Sequence, residues 1–181
     1  MTDPDAASTP SDVATAFERH DAFAPTDDDG YALDSTAFDV TVTATESTSG
    51  KAGAFTVLVP VPTLSASVVD PDDVAPVVED GWFETFERRL EDAFDVAKTS
   101  YGDPPVVDRG PETVHVELAY ESWDAAEGVA DAKALAEYVE GTWVQGLIPG
   151  YDYVGVAADL RSQASQNTAG DDGGDRSGTP L

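Results

Sequence analysis

From Phe38 to Thr45 apolar and polar residues alternate without a break, with Phe38, Val40, Val42 and Ala44 on one side and Asp39, Thr41, Thr43 and Thr45 on the other. Side chains of an extended chain point to opposite faces with a period of two, so this stretch buries its apolar set only as a strand lying on a core. The same alternation returns at Phe55, Val57, Val59 and Val61 after a Ser/Gly-rich loop from Glu46 to Gly53, which makes the pair a hairpin. Pro60 and Pro62 place the end of the second strand at an edge or a bulge, because proline cannot donate to a ladder. A third strand is expected from about Leu64 to Val69. Farther on, Val106 and Val107, a turn at Arg109-Gly110-Pro111, and the alternating Val114, Val116, Leu118 and Tyr120 read as a second hairpin.

The period changes elsewhere. Trp82, Phe83, Phe86, Leu90, Ala93, Phe94 and Ala97 recur at helical steps and predict a helix of about five turns. Its outer face offers Glu84 to Arg88 and Arg88 to Asp92 at i,i+4 spacing. Ser122 is expected to cap a long helix with the stripe Val129, Ala132, Ala136, Val139 and Trp143, in which Gly128 and Gly141 are weak points. Near the N-terminus Ser11 caps a short helix that places Val13, Ala16 and Phe17 on one face and His20 near its end. The turn Asp27-Asp28-Asp29-Gly30 closes that unit, and Tyr151 to Val156 is read as a final turn or short strand.

The order α-β-β-(β)-α-β-β-α describes an α+β fold: an antiparallel sheet of about 4–5 strands, built from two hairpins, with helices packed on one face. Residues 1–10 and 161–181 are rich in Gly, Asp, Ser, Thr and Pro and are expected to be disordered. That leaves one domain over 11–160.

Charge bears on the solvent more than on the fold. With 36 Asp and Glu against 9 Lys and Arg, the formal charge is −27. The acids are spread from Asp3 to Asp175 among apolar patterns, and 41% of the residues are hydrophobic, so a core forms while the surface stays charged. At about 0.15 M salt the Debye length is about 8 Å and surface carboxylates repel, whereas at molar salt it is about 3 Å and the repulsion fades. Concentrated internal salt is therefore the expected solvent, and an acid-rich chain whose only lysines are Lys51, Lys98 and Lys133 resembles halophilic archaeal proteins. Nucleic acid is excluded as a partner, since its phosphates are bound by basic patches and Arg88-Arg89 sits among acids. Without cysteine there are no thiolate ligands or nucleophiles. The first residues lack a signal-peptide pattern and no stretch approaches about 18 apolar residues, so a cytoplasmic protein without a membrane partner is expected.

Chemistry-bearing patterns are sparse. Only His20 and His115 could serve as imidazole bases, and no Gly-x-Ser-x-Gly turn presents a serine. His115 and Glu117 share the polar side of a strand, which makes a proton-transfer pair conceivable, and with Arg109 they form the one candidate polar site. The run Asp27 to Gly30 suggests calcium, but the loop would start at Pro25 and end at Thr36, where the flanking ligands are missing. No nucleotide-cradling glycine loop occurs, so neither metal nor cofactor is expected. The most unusual local feature is aromatic. Around Gly146 to Gly150, the residues Trp143, Leu147, Ile148, Tyr151 and Tyr153 form either a core cap or a candidate interaction surface, with Tyr138 nearby.

The segments Trp82-Phe83-x-x-Phe86, Val114-His115-Val116-Glu117 and Gly146-Leu147-Ile148-Pro149-Gly150-Tyr151 resemble a small haloarchaeal family of unknown function, over about residues 11–158. That resemblance implies no activity and carries over no functional residue. The element order is similar to the type III secretion chaperone-like fold, whose members are often dimers that bind partner proteins; this is fold analogy alone. The expectation is a non-enzymatic protein-interaction or chaperone-like module, with another protein or a second copy as partner. The alternative is a small-molecule binder or carboxylate enzyme with a pocket between sheet and helices.

Overall fold

Alternation places the strands where the sequence implies, and the sheet they build is larger than expected. The computed structural model describes residues 8–98 and 102–170. Among these the strands are β1 (Phe23–Pro25), β2 (Tyr31–Leu33), β3 (Thr41–Thr45), β4 (Gly53–Pro62), β5 (Val106–Arg109) and β6 (Thr113–Ser122). The helices are α1 (Ser11–Glu18), α2 (Pro76–Leu90), α3 (Ala125–Gln145) and α4 (Gly155–Gly170). The strands form one six-stranded antiparallel sheet in the order β1-β2-β3-β4-β6-β5.

The expected 4–5 strands become six because Asp27 to Gly30 does not close a helical unit. That run is instead the turn of the β1–β2 hairpin: the Thr26 N–H donates to the Gly30 carbonyl at 2.9 Å, and Asp29 adopts φ 56°. The longest pairing is β4 with β6, from Gly53 opposite Ser122 to Pro62 opposite Thr113. On its other side β4 pairs with β3 only as far as Leu58 opposite Thr41. Pro60 and Pro62 lie past that point, where a missing donor leaves no ladder bond unmade.

The inward side of the sheet carries Val42, Phe55, Val57, Val59, Val116 and Leu118, all essentially inaccessible. They pack against Val13 and Phe17 of α1, Trp82, Phe86 and Leu90 of α2, and Val129, Leu135, Ala136 and Trp143 of α3. The opposite side carries no helix among the described residues, and Thr43, Leu58, His115 and Glu117 are exposed there. Antiparallel sheets tolerate this arrangement, with one face on the core and one in water.

Four local expectations are corrected. The segment 64–69 is not a strand: a 3-10 turn at Ser65–Ser67 sits there because the buried Glu79 carboxylate accepts the Leu64 and Ser65 N–H groups at 3.2 and 2.7 Å, and only Val68 bridges to Tyr153. The second helix starts at Pro76, which has no N–H to lose in a first turn, and stops at Leu90; a 3-10 turn at Ala93–Val96 keeps Ala93 buried. Arg88 does not form the pairs expected with Glu84 and Asp92, since the ion pairs among the described residues are Lys51–Glu121, Arg109–Asp80 and Lys133–Glu137. The cap of α3 is Asp124, whose carboxylate accepts the Glu127 N–H at 2.9 Å, two residues after the expected Ser122.

The expected tails are partly structured. Thr9 donates its hydroxyl hydrogen to the Ala44 carbonyl at 3.1 Å, and residues 161–170 continue α4. Ala157 and Leu160 anchor that helix in the core while Arg161 to Thr168 are exposed. Residues 1–7 and 171–181 of the expected tails lie outside the described residues.

Candidate functional site

The aromatic loop after α3 is stitched to the body of the protein. Trp143 is 0% exposed, donates its indole N–H to the Pro62 carbonyl at 2.9 Å, and meets Phe38 edge-on at 5.2 Å. Its place is the core, and it offers no contact surface. Leu147, Ile148, Tyr151 and Tyr153 are half-buried and packed against that core. The Tyr153 hydroxyl donates to the Ile148 carbonyl and accepts the Ile148 N–H, both at 2.7 Å. Burial, first among the causes, pushes the Tyr153 phenol above its ordinary pKa. Arg161 of α4 lies 5.5 Å from the Tyr153 ring centre and donates to the Tyr151 carbonyl.

The candidate polar residues are not brought together. His115 and Glu117 stand on the open face, where Asp108 is opposite His115, and Leu58 and Val106 flank Glu117. Arg109 is opposite the buried Val114 and therefore faces the helices. There its guanidinium donates to Asp80 at 2.8 Å and lies over the Phe83 ring at 5.2 Å. The sheet stands between Arg109 and the other two, so no single ligand touches all three.

The open face has a charge pattern of its own. Every outward side chain of β3 and β4 is uncharged, from Thr41, Thr43 and Thr45 to Ala54, Thr56, Leu58, Pro60 and Pro62. Acids on this face come from β5, β6 and the residues before β5: Asp103, Asp108, Glu117 and Glu121. Glu121 accepts the hydroxyls of Ser47 and Ser49 at 2.7 Å each, and these bonds, ahead of its Lys51 contact, hold its carboxyl below the usual carboxylate range.

A second feature went unread in the sequence. Between α1 and the start of α3 lies an open cleft of about 650 Å³. Asp12, Thr15 and Ala16 line it from α1, with Arg19 and His20 just past the end of that helix and Trp123 to Ala126 across from them. Trp123 is 75% exposed, and the Lys51 ammonium sits 5.7 Å from its ring centre. His20 uses Nδ1 to accept the Ala22 N–H at 3.3 Å, so Nε2–H is the donor its neutral ring offers. Among the described residues no group of three or more His, Asp or Glu side chains is arranged to hold a metal ion, and no helix is long and apolar enough to cross a membrane.

The sequence model of a family of unknown function, DUF5813, matches residues 18–163, and the chain belongs to that family. No curated protein and no solved structure matches it. The matched stretch covers the whole sheet and α2 and α3, and of the cleft it includes Arg19, His20 and Trp123 while most of α1 precedes it.

Proposed function

We propose that this member of a family of unknown function is a non-enzymatic interaction module, working in concentrated salt, whose open sheet face docks a second copy of the chain. The carrying observation is the uncharged strip formed by β3 and β4 in a chain of formal charge −27. Burying threonine and alanine side chains costs far less than burying carboxylates. A two-fold contact strip against strip centres on the uncharged side chains, with Glu117 and Glu121 at its β6 edge beside Leu58 and Ala54, where salt screens them. Sedimentation velocity in about 2 M KCl, a salt at which repulsion is screened, tests the proposal. Leu58→Asp, at a position 38% exposed, should shift dimer to monomer, while Val77→Asp on the helical side, 76% exposed, should not. A wild-type monomer at every concentration up to the millimolar range rules the dimer out.

The cleft favours a second reading, small-molecule binding beside the helices. Its volume falls within the range of ligand sites, roughly 300–1,000 Å³, and a tryptophan held in solvent lines it.

A further inference from the structure

We infer that the cleft between α1 and the start of α3 binds a small planar ring bearing an anionic group, a phosphate or a carboxylate; this deepens the small-molecule reading and rests on it. Ala16, Ala52, Ala125 and Ala126 are among the residues lining the cleft, and their short side chains leave space beside Trp123. Exposing an indole to water forgoes the burial that tryptophan ordinarily gains, and a flat ligand stacked on it would recover that contact.

The charges choose the sign. Arg19 and His20 line one end of the cleft in a chain with only 9 Lys and Arg, while Lys51, over the indole, is already paired with Glu121. The guanidinium fork of arginine matches the oxygens of a carboxylate or phosphate, and the imidazole Nε2–H adds a donor. Of the two acids in the wall, Asp124 is engaged as the cap of α3, and Asp12 lies at the other end of α1 from Arg19. A cationic ring is the weaker candidate even though tryptophan attracts cations, because Lys51 already occupies that role over the ring. The formal charge of −27 repels anions at long range, but concentrated salt removes this while leaving contacts at hydrogen-bond distance in place.

The three tryptophans provide their own control, since Trp82 and Trp143 are 5% and 0% exposed. The indole N–H resonances of the full chain in about 2 M KCl, a salt that screens the surface, are followed during titration with adenosine monophosphate, indole-3-acetate, adenosine, tryptamine and inorganic phosphate. The expected result is a saturable shift of the Trp123 resonance alone with the two ring anions, at least about tenfold tighter than with adenosine, tryptamine or phosphate. Arg19→Ala should weaken the ring anions about tenfold or more while leaving the fold intact, because Arg19 is exposed. Adenosine or tryptamine binding as tightly as the ring anions, or unchanged binding by Arg19→Ala, overturns the anionic assignment and leaves the small-molecule reading standing. If no probe moves the Trp123 resonance, both fall.

Discussion

Both glycines inside α3 interrupt a good helix, yet replacing them by alanine should have opposite effects. A Cβ at Gly141 would meet nothing within 4 Å, so Gly141→Ala should collect the helix-propensity gain of about 0.8–1.0 kcal/mol. A Cβ at Gly128 would lie 2.4 and 2.5 Å from Cζ and Cε2 of Phe55 and 3.0 Å from Cβ of Ser122. Carbon atoms pack at about 3.5–4.0 Å, so the ring would have to retreat by about 1 Å. It has little room to do so: Phe55 is 1% exposed and stacked on Tyr120 at 5.2 Å, and the Tyr120 hydroxyl donates to the Gly128 carbonyl. Overpacking a core by a methylene costs about 1–3 kcal/mol, which outweighs the propensity gain. Gly128→Ala should then lose up to about 2 kcal/mol net, or up to roughly 8 °C of Tm for a domain of this size. Thermal and urea denaturation in concentrated KCl measures both variants. Phe55→Leu, which frees the ring volume, should be less harmful in the Gly128→Ala background than alone, a favourable coupling between touching residues. A Gly128→Ala protein as stable as Gly141→Ala would refute the packing argument.

Dialysis below roughly 0.5 M KCl should cost the domain its cooperative melting, because the even spread of acids is then poorly screened; an unchanged Tm at 50 mM would contradict this. Burial, and secondly the charge of Asp131, holds the Tyr120 phenol protonated well beyond its ordinary range. The unfolded chain ionises near pH 10 and the folded one does not, so stability is intact below about pH 10 and falls as pH rises further. Tyr120→Phe should flatten that alkaline fall without abolishing it, as Tyr31 and Tyr153 are also raised; identical slopes by pH-dependent denaturation would argue against it. Glu79→Ala strands the Leu64 and Ser65 N–H groups and should cost about 2–4 kcal/mol, while Glu79→Gln keeps one acceptor and should cost less. Equal urea midpoints for the two variants would show that these bonds contribute little.

The legible parts of the fold were those whose signal is local and repeated. Val42, Val57, Val59, Val116 and Leu118 reach the core because a period of two leaves no other face for them. Residues 23–25 and 31–33 are too short for any period to emerge, so the hairpin they form was lost. Leu64, Ala66 and Val68 imitate a strand, but a carboxylate fifteen residues away takes the N–H groups that a ladder would need. Nothing within the segment announces that partner. The stripe running from Trp82 through Leu90 to Ala93 continues across a change of backbone, because a 3-10 turn can keep the same side inward. Periodicity reports the buried face and is silent on where α-helix gives way to a tighter turn.

The same reasoning separates Trp143 from Trp123. Trp143 stands among aromatic neighbours, but it also continues the Val139 stripe at i+4, and that phase already assigns it to the core, where it is found. Trp123 has the opposite credentials. The inward residues of β6 are Val114, Val116, Leu118, Tyr120 and Ser122, so position 123 falls out of phase with the buried face, and Asp124 then starts a helix. A large aromatic that no local period can bury must meet water or a ligand. In a chain where one residue in five is acidic, carboxylates cannot mark a site, because solvent exposure alone accounts for them. An aromatic out of phase has no such explanation, which makes Trp123, with Arg19 and His20 lining the same cleft, the more discriminating signal.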